Sequence, residues 1–182
     1  MPAYALLTAF GQDRPGIVAT LTEGLFQQGC NLEDTCMTRL RGEFAMMIMV
    51  RLPEGLAPDQ LTERLTPQTA QAGLTVLCRA LPRQAAERAP GTEAPLFILS
   101  VYGADHPGMV ARVARTVADH GGNITDMNTR VVGSADRPVY VMMLEIQLPP
   151  GSPPDPLQVA LERLKPTLGV DLTFRLLEQA TL

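Results

Sequence analysis

Tryptophan is absent from this 182-residue chain, lysine occurs once, at Lys165, and aromatic residues make up only 4% of it. Each shortage removes a class of function. A single lysine outside any Gly-x-x-x-x-Gly-Lys run leaves no phosphate-binding loop. The two histidines, His106 and His120, have no ligand-spaced partners, so no metal site and no cofactor are expected. Cys30, Cys36 and Cys78 are odd in number and form no Cys-x-x-Cys pair, which fits reduced thiols. Ser100, Ser134 and Ser152 lie in no Gly-x-Ser-x-Gly elbow, so no catalytic nucleophile is assigned. No leader of the charged, apolar, small-residue type opens the chain, and no apolar run approaches the roughly 18 to 20 residues of a membrane span. The expectation is a soluble, cytoplasmic protein that does not engage a membrane.

Charge excludes a further class. The net charge is -4, with 8 basic and 10 acidic residues up to Glu93 and 7 and 9 after it. Neither half is a basic arm, and without a helix-turn-helix pattern direct nucleic-acid contact is not expected. Arg39, Arg41, Arg130 and Arg137 gather around two hairpins, where solvation accounts for them. Nine methionines raise the idea of a soft-metal or adaptable surface. Met46, Met47, Met49, Met142 and Met143 fall on central strands, however, and are expected to fill a core.

What is present is a repeat. Gly11-Gln-Asp-Arg-Pro-Gly-Ile-Val-Ala returns 92 residues later as Gly103-Ala-Asp-His-Pro-Gly-Met-Val-Ala, and nine of 24 residues match between positions 11–34 and 103–126. The identities are turn residues rather than core residues. Gly11, Asp13, Pro15 and Gly16 match Gly103, Asp105, Pro107 and Gly108, while Gly29, Asn31 and Asp34 match Gly121, Asn123 and Asp126. The two halves share backbone geometry at two corners.

Each half reads as strand, helix, strand, strand, helix, strand. Tyr4–Phe10 and Leu96–Tyr102 are short apolar runs ended by glycine, hence strands. Ile17, Val18, Leu21 and Leu25, with Met109, Val110, Val113 and Val117 in the second half, recur at helical spacing. Pro15 and Pro107 suit a first helical turn, and Gly29 and Gly121 suit the left-handed stop. Asn31–Leu40 with Glu43–Leu52 and Ile124–Val132 with Val139–Leu148 form hairpins, the second lengthened at its tip by four residues. Helices around Pro58–Thr66 and Pro156–Lys165 precede last strands at Leu74–Leu81 and Val170–Leu177. The order βαββαβ predicts an α+β protein of two ferredoxin-like domains, each a four-stranded antiparallel sheet with its helices on one face. The expected limits are 1–82 and 96–182, joined by a proline- and alanine-rich linker over 83–95 with room for one helical turn.

The Asp-Arg-Pro-Gly-Ile-Val corner followed by Gly-Cys-Asn-Leu, and its copy Asp-His-Pro-Gly-Met-Val with Gly-Gly-Asn-Ile, resemble the ACT domain, a small-molecule regulatory module of amino-acid metabolism. The resemblance covers nearly the whole chain, and a free-standing tandem pair is most similar to the glycine cleavage system transcriptional repressor group. It implies two domains packed as a pseudo-twofold pair, a homodimer, and amino-acid binding at the corner between first strand and first helix. The implied ligand-binding positions are Gly11, Asp13, Arg14, Gly16 and Asn31, and in the second copy Gly103, Asp105, His106, Gly108 and Asn123. The residues agree with that reading. The corner glycines let a ligand approach the main chain, a helix start offers free amides to a carboxylate, and the aspartates can receive an ammonium.

Serine-binding relatives carry histidine at the place of Gly11 and Gly103 and asparagine at that of Asp13 and Asp105, so serine specificity does not transfer and glycine is favoured. The bland alternative is that Asp13 and Asp105 cap helices while Asn31 and Asn123 begin strands. Cys30 against Gly122, and Arg14 against His106, make the two copies unequal. The function expected is a non-enzymatic sensor acting through a protein partner, either a transcription factor of the LysR type controlling glycine cleavage or, alternatively, a biosynthetic enzyme to which it lends feedback. An enzyme using Asp105 and His106 is a third reading, but adjacent side chains at a helix start usually diverge.

Overall fold

The computed structural model describes residues 3–87, 94–134 and 137–177, which fall into two compact units divided between Pro90 and Gly91. In the first, β1 (Ala3–Gln12), α1 (Ile17–Gln27), β2 (Asn31–Leu40), β3 (Glu43–Leu52), α2 (Pro58–Gln71) and β4 (Leu74–Leu81) follow in turn. A four-residue helix, α3 (Arg83–Ala86), comes next. The second unit repeats the series as β5 (Leu96–Gly103), α4 (Met109–Asp119), β6 (Asn123–Ser134), β7 (Arg137–Gln147), α5 (Asp155–Leu168) and β8 (Val170–Leu176). The sheets run β2-β3-β1-β4 and β6-β7-β5-β8, with antiparallel pairing throughout.

One face of each sheet is covered by its two long helices. Ala5, Leu7 and Ala9 of β1 alternate with half-exposed neighbours and pack with Ile48 and Val50 of β3 under Leu21, Leu25, Leu61 and Leu65. Leu99, Val101, Met142, Leu144 and Ile146 make the same layer under Val113, Val117, Leu157 and Leu161. The period of two along the strands and of about four along the helices is what brings these faces together.

Packing extends both second helices beyond their sequence-expected ends. Pro67 and Pro166 lie inside α2 and α5, although an interior proline removes a ladder hydrogen bond at a cost of about 3 kcal/mol. Burial continues past the prolines, at Thr69, whose hydroxyl donates to the Leu65 carbonyl at 2.9 Å, and at Leu168. The extra residues of the second hairpin likewise lengthen its strands, since Gly133 pairs with Pro138 and Ser134 with Arg137. Pro138 is tolerated because β5 ends opposite Tyr140, so no ladder bond on that side is lost.

The methionine expectation needs correction. Met46 and Met142 are core residues, but Met47 and Met143 are about half exposed and stand on the sheet face without helices. Alternation along a strand forces neighbours to opposite faces, so a run of consecutive apolar residues fills both.

Candidate functional site

The corner after β1 is built on two glycines with different tasks. Gly16 has φ 93° and ψ -9°, a left-handed conformation that L side chains seldom adopt, and it immediately precedes α1. Gly108 repeats it at φ 85° before α4. Pro15 and Pro107 therefore sit in the turn ahead of the helices rather than in their first turns. Gly11 is extended, and a Cβ there would lie 2.2 Å from the Gly73 carbonyl oxygen; at Gly103 it would lie 2.6 Å from Val170 Cγ1. That space is filled by protein, so these two glycines serve chain packing, not ligand approach.

Neither helix is capped by an aspartate. No side chain bonds the start of α1 or of α4; the Ile17 and Met109 amides donate back to the Arg14 and His106 carbonyls at 3.4 and 3.3 Å, and the next amides of each first turn have no side-chain partner among the described residues. Asp13 is held elsewhere: its amide donates to the Gly42 carbonyl at 2.8 Å, and its carboxylate meets Arg39 Nη1 at 3.2 Å. Arg14 is folded onto the Gln12 side chain. The first corner is thus closed onto its own hairpin.

The second corner differs. Val131 stands at the place of Arg39, and among the described residues Asp105 has no ion pair or side-chain hydrogen bond. No hydrogen bond joins Asp105 to His106 among them either, so the adjacent pair has no base-and-orienter geometry. His120 Nδ1 lies 2.8 Å from the Thr116 carbonyl of its own helix, away from this corner. Among the described residues, no group of three or more histidine, cysteine and acidic side chains is placed to hold a metal ion.

The asparagines lie far from their own corners. Asn31 pairs with Arg51, which pairs with Tyr4, whereas Asp13 follows Gln12 at the other end of β1. Nine residues of strand separate the two ends, about 30 Å. Asn123 stands in the same relation to Asp105 through Gln147 and Leu96. Within one unit, therefore, a small ligand cannot touch both clusters. Asn31 donates to Glu33 at 2.9 Å, and Glu33 meets Arg51 at 2.9 Å.

Cys30 does not shape the corner. It is buried in the first core, and burial, followed by the nearby Cys78, raises its pKa; burial raises that of Cys78 as well, against a hydrogen bond from Thr62. Its counterpart Gly122 has no such room, since a Cβ would lie 2.7 Å from Val117 Cγ1. The Asp13–Arg39 pair has no signal in the sequence, because 26 residues separate its partners and the hairpin register joins them.

A ferredoxin-like βαββαβ unit with a left-handed glycine at its first corner, present twice, defines a tandem α+β domain protein. ACT-domain models match residues 3–79 and 97–150, together more than half of the chain, and the protein belongs to the ACT-domain family. It is 29% identical over 150 residues to the glycine cleavage system transcriptional repressor of Escherichia coli, a match covering 82% of this chain and 75% of that one. It is 30% identical over 178 residues to a phosphoserine phosphatase of Mycobacterium tuberculosis, covering 94% of this chain but 41% of that enzyme. A solved structure of an unknown protein from Galdieria sulphuraria superposes with a TM-score of 0.81 at 23% identity, over 98% of this chain and 100% of that one, which shows the fold. The protein is a regulatory ACT-domain chain similar to the repressor. Among the described residues no helix is long and apolar enough to cross a membrane.

Proposed function

We propose that the protein is a non-enzymatic regulator that binds a small amino acid, glycine above others, at the corner between β5 and α4. The observation that carries this reading is the unequal state of the two aspartates. Asp13 already has a cation in Arg39, whereas Asp105 stands beside an uncapped helix start with no partner among the described residues. A ligand carboxylate accepts from the first-turn amides of α4, its ammonium meets Asp105, and the open space around Gly108 admits a short side chain. Asp13, Arg14 and Gly16 form the weaker of the two corners in this reading.

Binding passes to a protein partner by linkage: the ligand alters partner affinity by the same factor that the partner alters ligand affinity. Similarity to the repressor favours a transcription factor of glycine cleavage as that partner, and a homodimer as the working form. Titration calorimetry with glycine tests the site. Asp105→Ala is expected to weaken binding by at least about tenfold and Asp13→Ala to leave it unchanged. Glycine that binds equally well to both variants removes the proposal. A monomer in sedimentation at micromolar concentration removes the homodimer alone.

A further inference from the structure

We propose that the open face of the second sheet is a separate binding site for an extended basic amino acid such as lysine or arginine. A concavity of about 500 Å³ lies there, floored by Ile98, Val141 and Met143 and walled by Asp126, Asn128, Arg130 and Glu145. It belongs to none of the corner positions. The ladder fixes its order: Asp126 faces Glu145, Asn128 faces Met143 and Arg130 faces Val141. A register shift at Thr125, between Ile124 and Asp126, places the aspartate on this face. Without that bulge every later side chain of β6 would turn to the opposite side.

The concavity sets two carboxylates side by side at one end and a guanidinium at the other. Like charges directly opposite in a sheet are destabilising, and Asp126 and Glu145 stand so, while the Asn128 amide donates to Asp126 at 2.7 Å. Among the described residues neither Glu145 nor Arg130 has a salt bridge. A ligand ammonium or guanidinium between the two carboxylates removes the repulsion. Arg130 lies four residues along the strand, about 13 Å at the backbone, and lines the same concavity. It therefore meets a carboxylate at the far end of a ligand whose methylene stem crosses Met143. Two carboxylates against one guanidinium leave one negative charge, which matches the single positive charge of a basic amino acid and not a neutral one.

The first unit supplies a built-in control. At the same register it places Asp34 opposite Met49, Cys36 opposite Met47 and Thr38 opposite Ala45. The asparagine, arginine and glutamate are all missing there, so this site belongs to the second unit alone.

Titration of the full chain with L-lysine as the probe tests the assignment, with L-norleucine as the analogue lacking the terminal cation. Saturable binding at one site is expected, weakened at least about tenfold by Glu145→Met or Arg130→Thr, the residues that the first unit carries at those places. Glu145→Gln, which keeps the side-chain length, gives the same loss and guards against a misfolded variant. Asp105→Ala leaves lysine binding intact, which separates this site from the corner. The proposal is overturned by absence of saturable lysine or arginine binding at about 10 mM, by norleucine binding as well as lysine, by Glu145→Gln binding lysine unchanged, or by loss of lysine binding on Asp105→Ala.

Discussion

The two units share their backbone and differ in where their charges are satisfied. In the first, Asp13 is anchored twice, through its amide to Gly42 and through its carboxylate to Arg39. In the second, the hairpin runs on through Ser134 and Arg137, Val131 replaces the arginine, and among the described residues Asp105 has neither bond. Duplication thus preserved the corner as a shape and changed it as a site. A turn motif repeated in sequence says that the chain bends in the same way; whether its polar atoms are available depends on what the neighbouring hairpin supplies.

The sharpest way to break the comparison is at the two packing glycines. Gly11→Ala drives a Cβ to 2.2 Å from a backbone oxygen, while Gly103→Ala meets first the side chain of Val170, at 2.6 Å. Overpacking costs about 1 to 3 kcal/mol, so Gly11→Ala is expected to lose about 3 kcal/mol or more and Gly103→Ala less, read by urea unfolding. Equal losses would mean that the two strand ends are held in the same way.

The next effect concerns binding. Installing the missing cation with Val131→Arg gives Asp105 the partner that Asp13 has, and glycine affinity is expected to fall by about tenfold, near 1.4 kcal/mol. An unchanged calorimetric isotherm would show that the ion pair is not what separates the corners. Arg39→Ala in the first unit is a smaller perturbation. Both partners are partly exposed, so a loss below about 1 kcal/mol is expected in the same urea experiment.

The smallest effects are those of the thiols. Exposed Cys36 is expected to react with a maleimide in the native protein, and buried Cys30 only after unfolding, as mass spectrometry of partly labelled protein would show. Cys30 and Cys78 have folded pKa values above the ordinary 9.0. The folded state therefore holds these protons more tightly, and stability present below pH 9 declines as the pH rises through and beyond that range. A urea midpoint that increases there would reverse the assignment.

Much of the fold was legible because local rules suffice for it. Gly29 and Gly121 do terminate their helices with positive φ, 72° and 75°, as their place after an apolar helical stripe demanded. Other features were hidden because they depend on partners distant in sequence. Pro67 and Pro166 read as stops, yet Thr69 and Leu168 had core positions to fill. Cys30 read as a difference between the two corners and lies in the core, since it is the packing beneath α1 that decides which way the residue before β2 faces. Arg130 read as a solvated arginine until the β6–β7 register put it opposite Val141, on the same sheet face as Asp126 and Glu145.

By itself the sequence determined the duplication, the order of elements and the left-handed corners, because spacing, glycine and proline act within a few residues of chain. It is tertiary packing that pairs Asp13 with Arg39 and leaves Asp105 without an ion pair among the described residues, that holds each asparagine about 30 Å from its own corner, and that gathers Asp126, Asn128, Arg130 and Glu145 on one sheet face. Those outcomes follow from ladder register and β-bulges, which join residues far apart in the chain and shift every later side chain from one face to the other.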